Sequence, residues 1–235
     1  ITAPGGQIYS TQNAGNYGTM SGTSMSAPHA AGGVAVVKQR VEEGPVFDSL
    51  TLTERERADM AKNLMMNTAT PMYDPDGYLY SVRRQGSGLM NLTGAVTTDV
   101  YVVDRATGEA KVELKDFQQK EFMVSLNVTN LGDKPASYNV QADIIKDYVL
   151  PANGTTFNTF TADNVNTTVN GDTAVTVAPY EKKTITLRIN FANDPIAWNN
   201  FVEGFIRLVP TSEEGMELSV PVLGFYGNWD EPRVV

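Results

Sequence analysis

A single serine stands between a glycine turn and an apolar helical segment near the start of the chain. Gly22 permits a tight turn that a side chain would obstruct. The run at 27–41 is small and apolar at near-helical spacing, and only the polar triplet at 38–40 interrupts it. These features together predict a helix that begins near Ser24.

Pro28 supports this placement of the helix start. Proline is tolerated in the first turn of a helix and costs about 3 kcal/mol in its interior. Where a helix begins, unpaired backbone N–H groups and the positive end of the helix dipole point outward. Such a position suits the oxyanion that develops during acyl transfer, so Ser24 is a candidate nucleophile.

Three other interpretations of Ser24 compete with this one. The nucleophile elbow of hydrolases needs Gly-x-Ser-x-Gly, and Ser26 occupies the place of the second glycine. A Ser-Lys mechanism needs Ser-x-x-Lys, and the sequence contains no such spacing. In the third interpretation Ser24 only caps the helix, as serines often do.

The segment at 17–32 resembles the nucleophile region of the subtilisin-like serine proteases. It matches their pattern Gly-Thr-Ser-Met-x-x-Pro-His-x-x-Gly at every position, and residues 1–11 resemble the strand and turn that precede that region. The resemblance implies a serine endopeptidase with Ser24 as its nucleophile. It also implies an oxyanion turn at Gly22 and Thr23, with structural roles near the site for Pro28 and His29.

His29 is the only histidine in the sequence. Five residues of helix separate it from Ser24, which sets the two side chains roughly 140° apart around the helix axis. We therefore do not expect His29 to act as the general base. In subtilisin-like triads the order along the chain is Asp, His, Ser. The resemblance thus implies that the aspartate, the histidine and the oxyanion asparagine lie upstream of Ile1, and that the chain is a fragment without proteolytic activity.

Residues 1–97 are expected to form the C-terminal part of a subtilisin-like α/β catalytic domain, incomplete in this chain. Thr53 and Glu56 have the spacing of a capping box that opens a helix, and the sequence Asn-Thr-Ala-Thr-Pro at 67–71 ends it. The residues of this helix expected in the core are Met60, Leu64 and Met65. Residues 84–96 resemble the segment that closes the catalytic domain in larger members of the family.

After residue 97 the period of the apolar residues changes from helical to two, which is typical of half-buried β-strands. The alternating residues are Phe122, Val124, Leu126 and Val128; Ile185, Leu187, Ile189 and Phe191; and Met216, Leu218, Val220 and Val222. Turn-rich sequences occur at 130–135, 151–154 and 170–172. The pattern predicts an all-β, antiparallel sandwich over residues 98–235.

Two segments of this second part, 201–208 and 220–227, resemble the fibronectin type III-like domain that follows the protease domain in cell-envelope members of the family. The resemblance implies an extracellular or cell-wall associated protein, whose β-domain braces the site or shapes substrate choice. The alternative is a non-catalytic adhesion or ligand-binding β-sandwich that carries a degenerate protease remnant.

Composition limits the partners of the chain. A net charge of -9 and a pI of about 4.6 over 235 residues argue against nucleic acid. The sequence has no cysteine and no apolar run long enough to span a membrane. We expect a protein or peptide substrate. Because parallel sheets are covered on both faces, an incomplete catalytic domain is also expected to expose apolar surface, and to dimerise or swap segments through it.

One acidic stretch resembles the start of a calcium loop, namely Asp74-Pro75-Asp76-Gly77. The remaining ligand spacing of an EF-hand is absent, so we interpret the stretch as a turn and expect no cofactor or metal. A structural calcium ion is the alternative that its two close carboxylates leave open.

Overall fold

The computed structural model describes residues 1–48, 50–149 and 157–231. The predicted turn at 151–154 lies outside these ranges. The α-helices within them are α1 (Thr23–Glu43), α2 (Glu54–Thr68), α3 (Val82–Gln85) and α4 (Leu92–Thr97). The strands within them are β1 (Ile8–Thr11), β2 (Tyr17–Met20), β3 (Val100–Asp104), β4 (Val112–Phe117), β5 (Glu121–Asn130), β6 (Ala136–Val149), β7 (Phe157–Asn164), β8 (Thr168–Gly171), β9 (Ala174–Val177), β10 (Lys182–Asn190), β11 (Asn200–Pro210) and β12 (Leu218–Tyr226).

Helix α1 confirms the predicted helix start near Ser24. It begins at Thr23, after Gly22 with a φ of 151°, a conformation that favours glycine. The helix runs two residues past the apolar run at 27–41, to Glu43. Pro28 lies inside the helix rather than at its first position. Because proline has no N–H, it leaves the carbonyl of Ser24 without the usual bond from four residues later.

Helix α2 begins with the predicted capping box. The hydroxyl of Thr53 accepts a hydrogen bond from the backbone N–H of Glu56 at 3.3 Å. The carboxylate of Glu56 accepts one from the backbone N–H of Thr53 at 2.8 Å. The predicted core residues of α2 are buried in one cluster with residues of α1 and the loops, and its buried members are Val37, Val41, Phe47, Met60, Ala61, Leu64, Met65, Ala95 and Leu131.

Residues after 97 form two sheets that pack face to face, and the predicted alternation is confirmed in β5 and β10. One sheet has the order β3-β5-β10-β8 within the described residues; the other has the order β4-β12-β11-β6-β7, and β9 also pairs with β6. A single apolar cluster fills the space between them.

Met216 precedes β12 instead of lying within it, and Gly171 still belongs to β8, so these two predicted boundaries were wrong by a few residues.

One strand pair differs from the predicted antiparallel arrangement. Strand β4 pairs with β12 in parallel, with Val112 opposite Val222. The two strands are far apart in sequence, so no local turn signal could have indicated this pairing.

Helix α2 packs against one strand of each sheet, β3 and β12. The side-chain oxygen of Asn67 accepts the backbone N–H of Val102 in β3 at 2.8 Å, and its NH₂ group donates to the carbonyl of Ser219 in β12 at 3.2 Å. One turn earlier, Asn63 bonds in the same way to the backbone of Gly108 and Ala110. The helix therefore satisfies backbone groups of the edge strand β3, of the loop after it, and of β12 ahead of the residues that pair with β4.

The described part of residues 1–97 does not show the expected α/β arrangement of helices packed on a parallel sheet. In the described part of this segment, β1 and β2 form an antiparallel hairpin, and no parallel sheet covers α1. One side of α1 is accordingly open. The small residues Ala27, Ala31 and Ala35 are exposed. Val34 is 40% exposed and Val36 is 50% exposed, roughly 200° apart around the helix axis on the two flanks of its buried face. The subtilisin-like fold and the domain boundary near residue 97 stay predictions.

Candidate active site

An open groove of about 460 Å³ lies between the β1–β2 hairpin and the first turns of α1. Residues of both strands form one wall. The wall from α1 consists of Ser24, Met25, Pro28 and His29. The structure thus brings the predicted nucleophile and two of its predicted neighbours to the same surface.

Ser24 lies at the second position of α1 and is exposed. The backbone N–H groups of Met25 and Ser26 both donate to the carbonyl of Gly22, at 3.0 and 3.3 Å. In the part of the chain that the structure describes, neither the N–H nor the hydroxyl of Ser24 has a hydrogen-bond partner. By contrast, the hydroxyl of Ser26 donates to the carbonyl of Thr23 at 3.0 Å. Ser24 therefore presents a free hydroxyl beside a free N–H donor.

The turn before Ser24 is held from one side by the segment at 5–7. The N–H of Gly22 donates to the carbonyl of Gly5 at 2.8 Å, and the N–H of Gln7 donates to the hydroxyl of Ser21 at 2.8 Å. A Cβ atom on Gly5 would lie 2.7 Å from the carbonyl oxygen of Gly22 and 2.9 Å from Cβ of Ser26. Glycine at position 5 thus allows a backbone contact that any side chain would prevent.

His29 is exposed and does not contact the Ser24 hydroxyl by a hydrogen bond. Its Nδ1 lies 2.9 Å from the carbonyl oxygen of Met25, so the ring donates from Nδ1 to that carbonyl. No carboxylate among the described residues hydrogen-bonds to the ring. The groove therefore contains a candidate nucleophile and a candidate oxyanion donor, but no oriented base. The hydroxyl of Thr23 is also without a partner in the described chain and adjoins the same turn.

Sequence analysis did not predict the hairpin wall of the groove. The rings of Tyr9 and Tyr17 stack across β1 and β2, with centroids 5.7 Å apart, and are 70% and 61% exposed. The turn-rich sequence Gln-Asn-Ala-Gly-Asn at 12–16 is a signal that could have indicated the hairpin.

The stretch at Asp74 forms a closed turn. One carboxylate oxygen of Asp74 accepts the backbone N–H groups of Asp76 and Tyr78, at 3.0 and 2.8 Å. The N–H of Gly77 donates to the carbonyl of Asp74 at 3.0 Å. Over the described ranges, no three His, Cys, Asp or Glu side chains come together as metal ligands, and no helix is long and apolar enough to cross a membrane.

A buried ionic cluster joins the segment around α3 to the β-sandwich. Glu203 of β11 is fully buried, and its carboxylate accepts hydrogen bonds from the side chain of Arg83, at 2.8 and 3.2 Å, and from the hydroxyl of Ser81, at 2.9 Å. The guanidinium of Arg83 also pairs with Asp147 of β6 and lies 3.8 Å from the ring centre of Phe201.

Burial of this ionic cluster shifts the pKa values of Asp147 and Arg83. Removal from water raises the pKa of the Asp147 carboxyl above its usual value, although the charge of Arg83 opposes that shift. Burial lowers the pKa of the Arg83 guanidinium, but the hydrogen bonds and charges of Glu203 and Asp147 outweigh it and hold that pKa above its usual value. Arg83 therefore stays charged and bound to two carboxylates.

Comparison with known proteins places the two parts of the chain in families. Residues 1–91 match the Subtilase family, and residues 112–223 match an Fn3-like domain. The first part of the chain is thus identified as a segment of the Subtilase family, and the second part as an Fn3-like domain.

Its similarity to two curated relatives extends over nearly the whole chain. It is 31% identical to a PII-type proteinase of Lacticaseibacillus paracasei, with 100% of this chain and 13% of that protein aligned. It is 34% identical to a C5a peptidase of Streptococcus pyogenes serotype M1, with 97% of this chain and 19% of that protein aligned. The chain thus spans less than a fifth of the length of these relatives.

Among solved structures, a PapD-like domain of human CEP192 aligns with 55% of this chain and 84% of that domain, at 9% identity and a TM-score of 0.38.

Proposed function

We propose that Ser24 is the nucleophile of a subtilisin-like serine endopeptidase, of which these 235 residues are one part. One observation carries the proposal: an exposed serine at the start of α1, with a free hydroxyl and a free N–H, faces an open groove in a segment of the subtilase family. The relatives that match are named as a peptidase and a proteinase, which favours a protein or peptide substrate.

In the proposed reaction the Ser24 oxygen attacks the carbonyl carbon of the scissile peptide bond. The hydroxyl proton passes to a histidine base and then to the leaving amine, and water releases the acyl group from Ser24. The N–H of Ser24 and the hydroxyl of Thr23 are the donors in this chain that would stabilise the oxyanion. The base must come from outside the 235 residues, because His29 is their only histidine and donates to the carbonyl of Met25.

The open side of α1 fits the same proposal. Val34 and Val36 are apolar and exposed on a helix that lacks a covering sheet in the described residues. We propose that the rest of a catalytic domain covers this side in the full-length protein. The chain by itself would then lack activity and would self-associate through the open side, by dimerisation or segment exchange. An extracellular or cell-wall location for the full-length protein is part of this proposal.

Hydrolysis of casein and of a fluorogenic peptide by the full-length protein tests the proposal. We expect Ser24→Ala to abolish turnover and Ser26→Ala to preserve most of it, since the Ser26 hydroxyl is bonded to the Thr23 carbonyl. The 235-residue chain alone is expected to show no turnover. Full activity in Ser24→Ala would overturn the assignment of the nucleophile. No activity in the unmodified full-length protein would instead favour an adhesion or ligand-binding β-sandwich with a degenerate protease segment.

A further inference from the structure

We propose that Glu203, in the β-sandwich, is a positioning residue for Ser24. It acts through α3 and residues 2–5, which connect the buried ionic cluster to the serine turn. This inference rests on the proposed function, because it assigns Glu203 a part in the reaction of Ser24.

The first link runs from Glu203 to α3. The carboxylate accepts the backbone N–H of Arg83 at 3.2 Å, in addition to the side-chain bonds of Arg83 and Ser81. Ser81 is the N-terminal cap of α3, since its hydroxyl accepts the N–H of Arg83 at 3.2 Å. Glu203 thus binds the first turn of α3 through both its backbone and its side chains. Because the carboxylate is fully buried, water cannot replace these bonds.

The second link runs from the end of α3 to Thr2. The hydroxyl of Thr2 donates to the carbonyl of Gln85 at 3.1 Å, and its N–H donates to the carbonyl of Gly88 at 2.8 Å. The carbonyl of Thr2 accepts the N–H of Met90 at 2.8 Å. Both backbone groups and the side chain of Thr2 are therefore fixed by residues 85–90.

The third link runs from Thr2 to the serine turn. Three positions after Thr2, the carbonyl of Gly5 accepts the N–H of Gly22, and Gly5 packs against Ser26 of α1. Gly22 is the residue before α1, and its carbonyl accepts the N–H groups that follow Ser24. A shift of residues 2–5 consequently moves the backbone that sets the position of the Ser24 hydroxyl and N–H.

Loss of the Glu203 charge should change the first of these three links, the one between Glu203 and α3. A glutamine in place of Glu203 would keep the size of the side chain, but Arg83 would then have Asp147 as its one charged partner in the cluster. A guanidinium drawn toward Asp147 displaces α3 and, with it, the carbonyls that hold Thr2. Displacements of about 1 Å far from the reacting atoms can reduce catalysis by up to about a hundredfold.

The test compares Glu203→Gln with Asp194→Asn in the full-length protein. Asp194 is a suitable control because it is also a buried carboxylate, paired with Lys146 at 2.6 Å. Its other side-chain bond is to the backbone N–H of Asn166, so its side-chain partners among the described residues all lie in the β-sandwich. Both variants are assayed at a temperature at which circular dichroism shows them folded.

We expect Glu203→Gln to lower kcat roughly tenfold with KM changed by less than about twofold, as for a change in the placement of reacting groups. Asp194→Asn should leave both constants within about twofold of the unmodified protein. Hydrogen exchange should speed up at residues 20–25 in Glu203→Gln and not in Asp194→Asn. Equal kinetic effects of the two variants, or unchanged exchange at residues 20–25, would overturn the proposal.

A second pair of variants tests the last link if Glu203→Gln does not fold. Gly5→Ala places a Cβ atom against the Gly22 carbonyl, whereas Gly6→Ala meets nothing within 4 Å. We expect a lower kcat and faster exchange at residues 20–25 for Gly5→Ala only. If the unmodified protein has no activity, the proposed function fails, while hydrogen exchange still decides whether Glu203 and Gly5 position the serine turn.

Discussion

The side chain of Asn67 hydrogen-bonds to one strand of each sheet, so its removal should destabilise the protein. The side chain is fully buried and bonds to the N–H of Val102 and the carbonyl of Ser219, which belong to different sheets. In Asn67→Ala both backbone groups lose this partner. An orphaned buried backbone group costs about 1–3 kcal/mol, and alanine returns roughly 0.5 kcal/mol through its helix propensity. For the two groups together we therefore expect a loss of about 1.5–5.5 kcal/mol in the free energy of unfolding.

Urea denaturation of the 235-residue chain, followed by circular dichroism, measures this loss. At about 2–4 °C per kcal/mol for a chain of this size, Tm should fall by roughly 3–22 °C. Asn139→Ala is the matched control, because Asn139 is exposed on β6 and its side chain has no bond to another described residue. It should change stability by less than about 0.5 kcal/mol. A loss below about 1 kcal/mol for Asn67→Ala would contradict the claim that these two backbone groups depend on Asn67 for a hydrogen-bond partner.

Two further predictions concern the helices. Hydrogen bonds from Thr53 lower the pKa of Glu56 below its usual value, so the contribution of this carboxylate to stability is present above the usual pKa and is lost as pH falls through the lowered one. Thr53→Ala removes the hydroxyl bond and keeps the bond from the backbone N–H, so it should raise the Glu56 pKa toward its usual value in an NMR titration. It should also cost about 1 kcal/mol in helix capping, and an unchanged pKa would contradict the capping box. Gly32→Ala, in open space on α1, should raise the free energy of unfolding by up to about 1 kcal/mol. Gly33→Ala should stabilise the protein less than Gly32→Ala does, because its Cβ atom would lie 2.8 Å from the side chain of Leu92. If denaturation shows the same increase in the free energy of unfolding for both variants, α1 does not pack against Leu92 at this position.

Local signals in the sequence were sufficient for the elements whose stability is local. Thr53 and Glu56 specify a helix start through bonds between near neighbours, and the structure has that capping box. The alternation in β5 and β10 predicts which face of each strand is buried, because successive side chains point to opposite faces. The helix that begins after Gly22 is local in the same sense, whereas the turn at Gly22 is also held by the carbonyl of Gly5.

Other features depend on contacts between distant parts of the chain, and sequence reasoning missed them. Asn67 belongs to a helix-ending sequence, yet its amide bonds to strands that begin at residues 100 and 218. Glu203 interrupts an apolar strand, and nothing near it in sequence indicates that Arg83 will neutralise it. The parallel pairing of β4 with β12 likewise depends on the packing of the whole sandwich.

Location of a covalent adduct tests the central claim most directly. The full-length protein is treated with a fluorophosphonate, digested, and sequenced by tandem mass spectrometry across residues 1–38, which contain Ser10, Ser21, Ser24 and Ser26. We expect one phosphonylated residue, Ser24, and no adduct in Ser24→Ala. An adduct on another serine, or a fully active protein whose Ser24 stays unmodified, would contradict it.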